Sequence, residues 1–82
     1  MTDPTDTTRT LEAAARAAGM FVTGDGRVSE SDLAALLGYS VSRLKQMRSE
    51  GGGPPCFRIG INGCRVSYRL AEVAQWIERN RQ

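Results

Sequence analysis

The chain has 82 residues, of which 40% are hydrophobic and 24% are charged. We expect one small domain in a chain of this length, with little room for a deep enzymatic cleft. The net charge of +2 is unevenly distributed: residues 1–32 carry three basic and six acidic side chains, whereas residues 33–82 carry eight basic and three acidic ones. The basic C-terminal half predicts a polyanionic partner, and an ordinary solvated surface is the alternative.

The N-terminal segment has few signals of regular structure. Met1–Thr8 is polar, which is typical of a disordered tail and unlike a signal peptide. Leu11–Ala18 is rich in helix formers and predicts a short helix. A turn cluster then separates Val22 from Val28, which are predicted to flank a small hairpin. We therefore expect an N-terminal extension over residues 1–27 and a domain over residues 28–82.

A first amphipathic helix is predicted to begin after Ser29. Asp32 follows three residues later, which resembles a capping box. Apolar side chains then recur at positions i, i+3 and i+4 and define one buried face, formed by Leu33, Leu36 and Leu37. Gly38 is expected to end the helix, because glycine readily adopts the left-handed conformation of a helix C-terminus.

A second helix is predicted from Val41 to about Ser49, with Ser40 as its N-cap and with Val41, Leu44 and Met47 facing the core. Two short helices joined by a tight turn are typical of a helix-turn-helix, so the second helix is the predicted recognition helix. Its polar side chains suit contacts with bases and phosphates, although any surface helix has a polar face. The predicted DNA contacts from this helix are Ser40, Ser42, Arg43, Lys45, Gln46 and Arg48, with Arg48 directed toward the DNA backbone.

A β-hairpin is predicted over Cys56–Arg69, after the glycine- and proline-rich linker of residues 51–55. The Asn62-Gly63 pair favours a type I′ turn. In that register the opposed pairs are Phe57 with Tyr68, Ile59 with Val66, and Ile61 with Cys64, all on one apolar face. The opposite face is basic, and its predicted contacts with phosphates or the minor groove are Arg58, Arg65 and Arg69.

The cysteines are expected to be free thiols. The predicted register places Cys56 and Cys64 on opposite faces of the hairpin, which excludes a disulfide between them. The chain contains no histidine, and two thiols at this spacing do not form a zinc site. We therefore expect Cys64 in the core, Cys56 without a role, and neither a metal nor a cofactor.

The last predicted helix covers Leu70–Asn80. Its apolar positions are Leu70, Val73, Trp76 and Ile77. Trp76 is the only tryptophan and is expected to anchor the core. Arg79 and Arg81 lie at the C-terminal end, where cations favour the helix dipole.

The order of these motifs resembles a known family over roughly Val28 to Arg81. The pieces are the helix-turn-helix sequence of residues 32–40, the Gly53-Pro54-Pro55 linker, the hairpin with Arg65–Leu70, and Val73–Ile77 with its tryptophan. Together they are similar to the excisionases and AlpA-type regulators of phages and integrative elements, which have a MerR-like helix-turn-helix. The resemblance implies an α+β, mostly α-helical, winged helix-turn-helix fold.

The resemblance also implies a function. An excisionase, or recombination directionality factor, binds and bends double-stranded attachment-site DNA, self-associates on it, and promotes excision by an integrase. An AlpA-type transcriptional regulator that binds promoter DNA is the alternative, and a protein–protein adaptor is a third hypothesis. An enzyme is not expected, because the chain lacks a nucleophile–base pair and a phosphate-binding glycine loop. We expect a cytoplasmic, nucleoid-associated protein without a membrane segment.

Overall fold

The computed structural model of the chain describes residues 3–60, 63 and 65–80. These residues form a compact α+β fold, mostly helical, with four helices and a three-stranded antiparallel sheet of order β1-β3-β2. The predicted α+β, mostly helical class is therefore confirmed. In chain order the elements are α1 (Pro4–Ala17), β1 (Arg27–Ser29), α2 (Glu30–Leu37), α3 (Val41–Glu50), β2 (Phe57–Ile59), β3 (Arg65–Arg69) and α4 (Leu70–Arg79). None of the described helices has the length and apolar character needed to cross a membrane.

Helix α1 begins earlier than predicted. The Asp3 side chain caps it by accepting a hydrogen bond from the Thr5 N–H at 2.8 Å, and Pro4 occupies the first turn, where proline needs no N–H partner. The expectation of a disordered tail is therefore wrong from Pro4 onwards. The helix is held by tertiary packing, since Leu11 and Ala15 are buried and α1 packs against α4.

Replacement of Leu11 by alanine is expected to lower the free energy of unfolding by about 2 kcal/mol, because a large apolar side chain leaves a packed site. Urea denaturation of the two proteins measures the difference. Arg9→Ala is the matched control on the same helix, since Arg9 is exposed. Equal urea midpoints for Leu11→Ala and the native chain would show that α1 does not contribute to the core.

Strand β1 pairs with β3 in the sheet, and Val22 does not lie in a strand. The Thr23 N–H donates to the Arg27 carbonyl oxygen at 3.0 Å, so only the turn of the predicted Val22–Val28 hairpin forms. The observed pairs are Arg27 with Arg69, Val28 with Tyr68, and Ser29 with Ser67. Val28 is buried, and pairing with the central strand covers it more fully than a two-stranded hairpin would. The predicted domain boundary at residue 28 falls inside this strand.

The core is centred on Tyr68. This ring is fully buried, as are Leu33, Leu44, Leu70 and Val73 around it. Trp76 is only half-buried and does not belong to the core cluster, so the expectation that it anchors the core is wrong. Tyr68, and not Trp76, is the large aromatic residue of the core, because it lies on β3, the central strand of the sheet.

The β2–β3 register differs from the prediction by one residue. Phe57 lies opposite Ser67, and Ile59 lies opposite Arg65. The Gly63 N–H donates to the Gly60 carbonyl oxygen at 3.1 Å, and Gly63 has φ +62°. A type I′ turn at Asn62-Gly63 would place Phe57 opposite Tyr68, so the observed register is not the one that this turn predicts.

The one-residue shift exchanges the two faces of β2. Phe57 lies on the outer face of the sheet, and Cys56 packs against the core. The predicted inward faces of Val66 and Tyr68 on β3 are confirmed. The predictions made for Ile61, Asn62, Cys64 and Arg81 lie outside the described residues.

Candidate nucleic-acid interface

Side-chain caps define the pair of helices α2 and α3. The Ser29 hydroxyl accepts a hydrogen bond from the Asp32 N–H at 3.2 Å, and the Ser40 hydroxyl accepts one from the Arg43 N–H at 3.0 Å. Gly38 ends α2 in the left-handed conformation, with φ +78°. The predicted boundaries of both helices are confirmed to within a residue or two.

The inner side of α3 is narrower than predicted. Leu44 is fully buried and Met47 is half-buried, but Val41 is 37% exposed. Val41 is the first residue of the helix, and with the exposed Tyr39 it belongs to the turn that leads out of α2. The expectation that Val41 faces the core is therefore wrong.

The outer side of α3 is polar. At about 100° per residue, Ser42, Gln46 and Ser49 lie opposite Leu44, with Arg43 and Lys45 on the two flanks. All five of these outer side chains are exposed. The structure therefore brings four predicted contacts together on one helix face, with Ser40 as the cap at its N-terminal end.

Two long hydrogen bonds order part of this face. An Arg43 guanidinium nitrogen donates to Gln46 Oε1 at 3.4 Å, and Gln46 Nε2 donates to Glu50 Oε2 at 3.3 Å. Both bonds are exposed and long, so a ligand can replace them at little cost. No ion pair engages Arg43 or Lys45 within the part of the chain that the structure describes.

Arg48 does not belong to the outer face. Its Nε donates to Glu30 Oε2 at 2.9 Å, and a second guanidinium nitrogen donates to Glu30 Oε1 at 3.3 Å. The buried Tyr68 hydroxyl donates to the same Glu30 Oε2 at 2.8 Å. This Glu30–Arg48–Tyr68 network joins α2, α3 and β3, so Arg48 is engaged within the fold and holds the helix in position.

The network determines the charge state of its members. Burial alone would raise the pKa of Glu30, but the hydrogen bonds from Arg48 and Tyr68 outweigh it, and the pKa lies below its ordinary value of 4.5. Burial, together with the hydrogen bond to the Glu30 carboxylate, raises the pKa of Tyr68. Glu30 is therefore a carboxylate and Tyr68 a neutral donor at neutral pH.

The lowered pKa of Glu30 predicts a pH dependence of stability. Because this pKa is lower in the folded than in the unfolded chain, its contribution is complete above about pH 4.5 and decreases as the pH falls through the folded-state pKa. We expect the difference in unfolding free energy between the native chain and Glu30→Gln to shrink as the pH is lowered from 6 to 3. Urea titrations at several pH values measure it, and a constant difference would contradict the prediction.

The outer face of the sheet carries a cluster of cations around Phe57. The Arg69 guanidinium lies 4.9 Å from the centre of the Phe57 ring, and that of Arg27 lies 5.7 Å from it. Arg27 also donates to the Ser67 hydroxyl at 3.3 Å. These contacts are cation–π interactions on a half-buried ring, and they explain why Phe57 is stable outside the core.

Asp25 bridges the two arginines, which lie directly opposite each other on β1 and β3. One Asp25 oxygen accepts from Arg27 Nε at 2.9 Å, and the other accepts from Arg69 at 3.2 Å. Hydrogen bonds from the Thr23 hydroxyl and from Arg27 hold the pKa of Asp25 well below its usual range. The bridge offsets the repulsion between like charges on opposed residues.

The three arginines that were predicted to contact DNA from the hairpin therefore occupy different surroundings. Arg69 is held by Asp25, by Glu72 at 3.7 Å and by the Phe57 ring. Arg65 is exposed on the same outer face, whereas Arg58 lies opposite Val66 and so on the other face, which corrects the predicted shared face. Neither Arg58 nor Arg65 forms an ion pair with another described residue.

Arg27 is the surface residue that sequence reasoning missed, because it was assigned to the N-terminal extension. A repeated tripeptide in the sequence could have indicated this role of Arg27. The tripeptide Arg-Val-Ser occurs at residues 27–29 and again at 65–67. In both copies the valine faces the core, and the arginine and serine lie on the outer face of the sheet.

Comparison with known proteins adds no family assignment: the chain matches no protein-family model, and no curated protein is significantly similar to it.

Proposed function

We propose that the chain is a DNA-binding protein of the winged helix-turn-helix type, with α2 and α3 as the helix-turn-helix and the β2–β3 hairpin as the wing. The outer face of α3 carries this proposal. It presents Ser42, Arg43, Lys45 and Gln46 to solvent, while Leu44 and the Glu30–Arg48–Tyr68 network hold the opposite side against the body. A helix fixed in this way is suited to the major groove.

The chemistry of the α3 outer face supports base contacts. Glutamine can form two hydrogen bonds with adenine, and arginine or lysine can bind guanine. The weak bonds of Gln46 with Arg43 and Glu50 keep these side chains together before DNA arrives. Serine hydroxyls and the N-terminus of α3, capped by Ser40, suit phosphate contacts.

The proposed wing contacts are Arg65 and Arg58, since both are exposed and without an ion pair among the described residues. Arg48 and Arg69 instead act as positioning residues, because each is engaged by carboxylates within the fold. This arrangement assigns DNA contact to fewer arginines than the sequence suggested.

We further propose that the DNA is the attachment region of a mobile element and that the protein acts as an excisionase. The resemblance in motif order supports this role. An AlpA-type transcriptional regulator is the second candidate, with the same fold and the same DNA face.

A footprint with the purified protein, on the attachment region and on neighbouring promoters, tests the role. Several protected sites in the attachment region, combined with stimulated excision by the integrase of the element, would support an excisionase. Protection of promoters alone, without an effect on excision, would favour the regulator. Absence of binding to any duplex at low salt would overturn the DNA-binding proposal and favour the adaptor hypothesis.

Arg65→Ala is expected to reduce the salt dependence of DNA binding. Each phosphate contact releases about 0.9 counterion, so the slope of log K against log salt concentration should become shallower by about 0.9. Fluorescence anisotropy titrations over a range of salt concentrations measure the slope. Arg16→Ala, in the exposed last turn of α1, removes an equal charge and serves as control. If both variants change the slope equally, the assignment of Arg65 to the interface is wrong.

A further inference from the structure

A groove of about 400 Å³ lies beside strands β1 and β3, next to the segment that precedes β1. Phe21 forms part of its wall, and the valines of β1 and β3, Val28 and Val66, contribute apolar lining. Asp32 of α2 and Arg65 of β3 provide charges of opposite sign among the lining residues. The α3 outer face does not take part in it.

Phe21 is the unusual member of this groove, because its side chain is 78% exposed. Tyr39, the next most exposed large hydrophobic residue among those described, is 40% exposed. Burial of a phenylalanine side chain is favourable, so a ring left in water beside a groove indicates a contact surface.

Addition of a peptide strand to β1 does not explain the groove. The Arg27 N–H donates to the Thr23 hydroxyl at 2.8 Å, and the Arg27 carbonyl oxygen accepts from the Thr23 N–H at 3.0 Å. Ser29 leads directly into α2 as its cap. The free edge of β1 is therefore occupied, and the groove must be filled by side chains.

The surface also has the composition expected of a self-complementary patch. A two-fold interface brings the same residues of both copies together, so it requires a protrusion, a matching depression and charges of both signs on one surface. Phe21 is the protrusion, the groove is the depression, and Asp32 and Arg65 supply the two charges. A phosphate backbone, in contrast, offers nothing apolar to cover Phe21.

We propose that this face is a two-fold interface between two copies of the chain. Phe21 of one protomer covers the groove of its partner, and Asp32 of one protomer faces the arginine at position 65 of the other. An interface formed by one groove buries a small area compared with most protein interfaces. The dimer is therefore expected to dissociate on dilution. The dimer is proposed for the protein without DNA; because Arg65 is also a proposed DNA contact, DNA that engages Arg65 competes with the dimer.

Sedimentation velocity without DNA, from low micromolar to near-millimolar concentration, tests the interface. The native chain should change from monomer to dimer, and Phe21→Ser should raise the dimer dissociation constant at least about 30-fold. Tyr39→Ser is the matched control, because it removes an exposed aromatic ring outside the groove. Its dissociation constant should equal that of the native chain.

Two further measurements separate loss of the dimer from loss of the fold and test the ion pair across the interface. The urea midpoint of Phe21→Ser should match that of the native chain, since the ring contributes little to the fold of the monomer. Asp32→Asn should weaken dimerisation about threefold to tenfold and reduce its salt dependence, because an ion pair across the interface is lost. A native chain that stays monomeric throughout the range, or a Phe21→Ser variant that dimerises as the native chain does, overturns the proposal.

Discussion

Replacement of Glu30 by alanine is expected to lower the free energy of unfolding by about 3–5 kcal/mol. Glu30 is 9% exposed, and its carboxylate accepts hydrogen bonds from both Arg48 and Tyr68. Its removal leaves a half-buried guanidinium and a buried hydroxyl without their acceptor, and an unpaired buried charge costs far more than the ion pair contributes. For a domain of this size the loss is comparable with the whole stability.

Urea and thermal denaturation followed by circular dichroism measure this effect. Glu50→Ala is the control, because Glu50 is an exposed glutamate on α3 and its loss should change the free energy by no more than about 0.5 kcal/mol. Glu30→Gln should fall between the native chain and Glu30→Ala, since the amide oxygen still accepts from Tyr68. A loss below about 1 kcal/mol in Glu30→Ala would mean that the network does not hold α3 in place.

The double replacement Arg43→Ala and Gln46→Ala is expected to weaken binding to a preferred DNA site by about 3 kcal/mol, or more than a hundredfold in Kd. Both side chains lie on the α3 outer face, and their hydrogen bond to each other couples them, so the two losses are not simply additive. Binding to random duplex should fall much less, because only one positive charge is lost.

Anisotropy titrations with a duplex selected from a random library by the native chain, and with a scrambled duplex, measure the two affinities. Arg9→Ala, on the exposed side of α1, removes the same charge and should change both affinities little. Circular dichroism should show an intact fold in the double variant, since neither residue is buried. An unchanged ratio of specific to random affinity would show that α3 does not read the bases.

Much of the local structure could be predicted from the sequence because short-range interactions determine it. The Ser29 and Ser40 hydroxyls accept hydrogen bonds from N–H groups three residues later, and the left-handed Gly38 bonds only to carbonyls of its own helix. Alternation along β3 correctly placed Val66 and Tyr68 inward, because adjacent strand residues must point to opposite faces. The exposed face of α3 followed from helical periodicity in the same way.

The features that the sequence left open depend on contacts between distant residues. Arg48 is joined to Glu30, 18 residues away, so its neighbours along α3 gave no sign that it was engaged. The hairpin register was wrong because the Asn62-Gly63 signal fits a short turn, whereas packing places Phe57 outside, against Arg27 and Arg69.

By itself, then, the sequence determined the α+β class, the bounds of α2, α3 and α4, and the polar face of α3, all of which follow from local propensity and periodicity. Tertiary structure alone decided which cations remain available on the surface. Arg43, Lys45, Arg58 and Arg65 have no ion pair with described residues, whereas Arg48 and Arg69 are engaged by carboxylates. The physical reason is that the pairing of a charge depends on its neighbours in space, and those neighbours come from other elements of the fold.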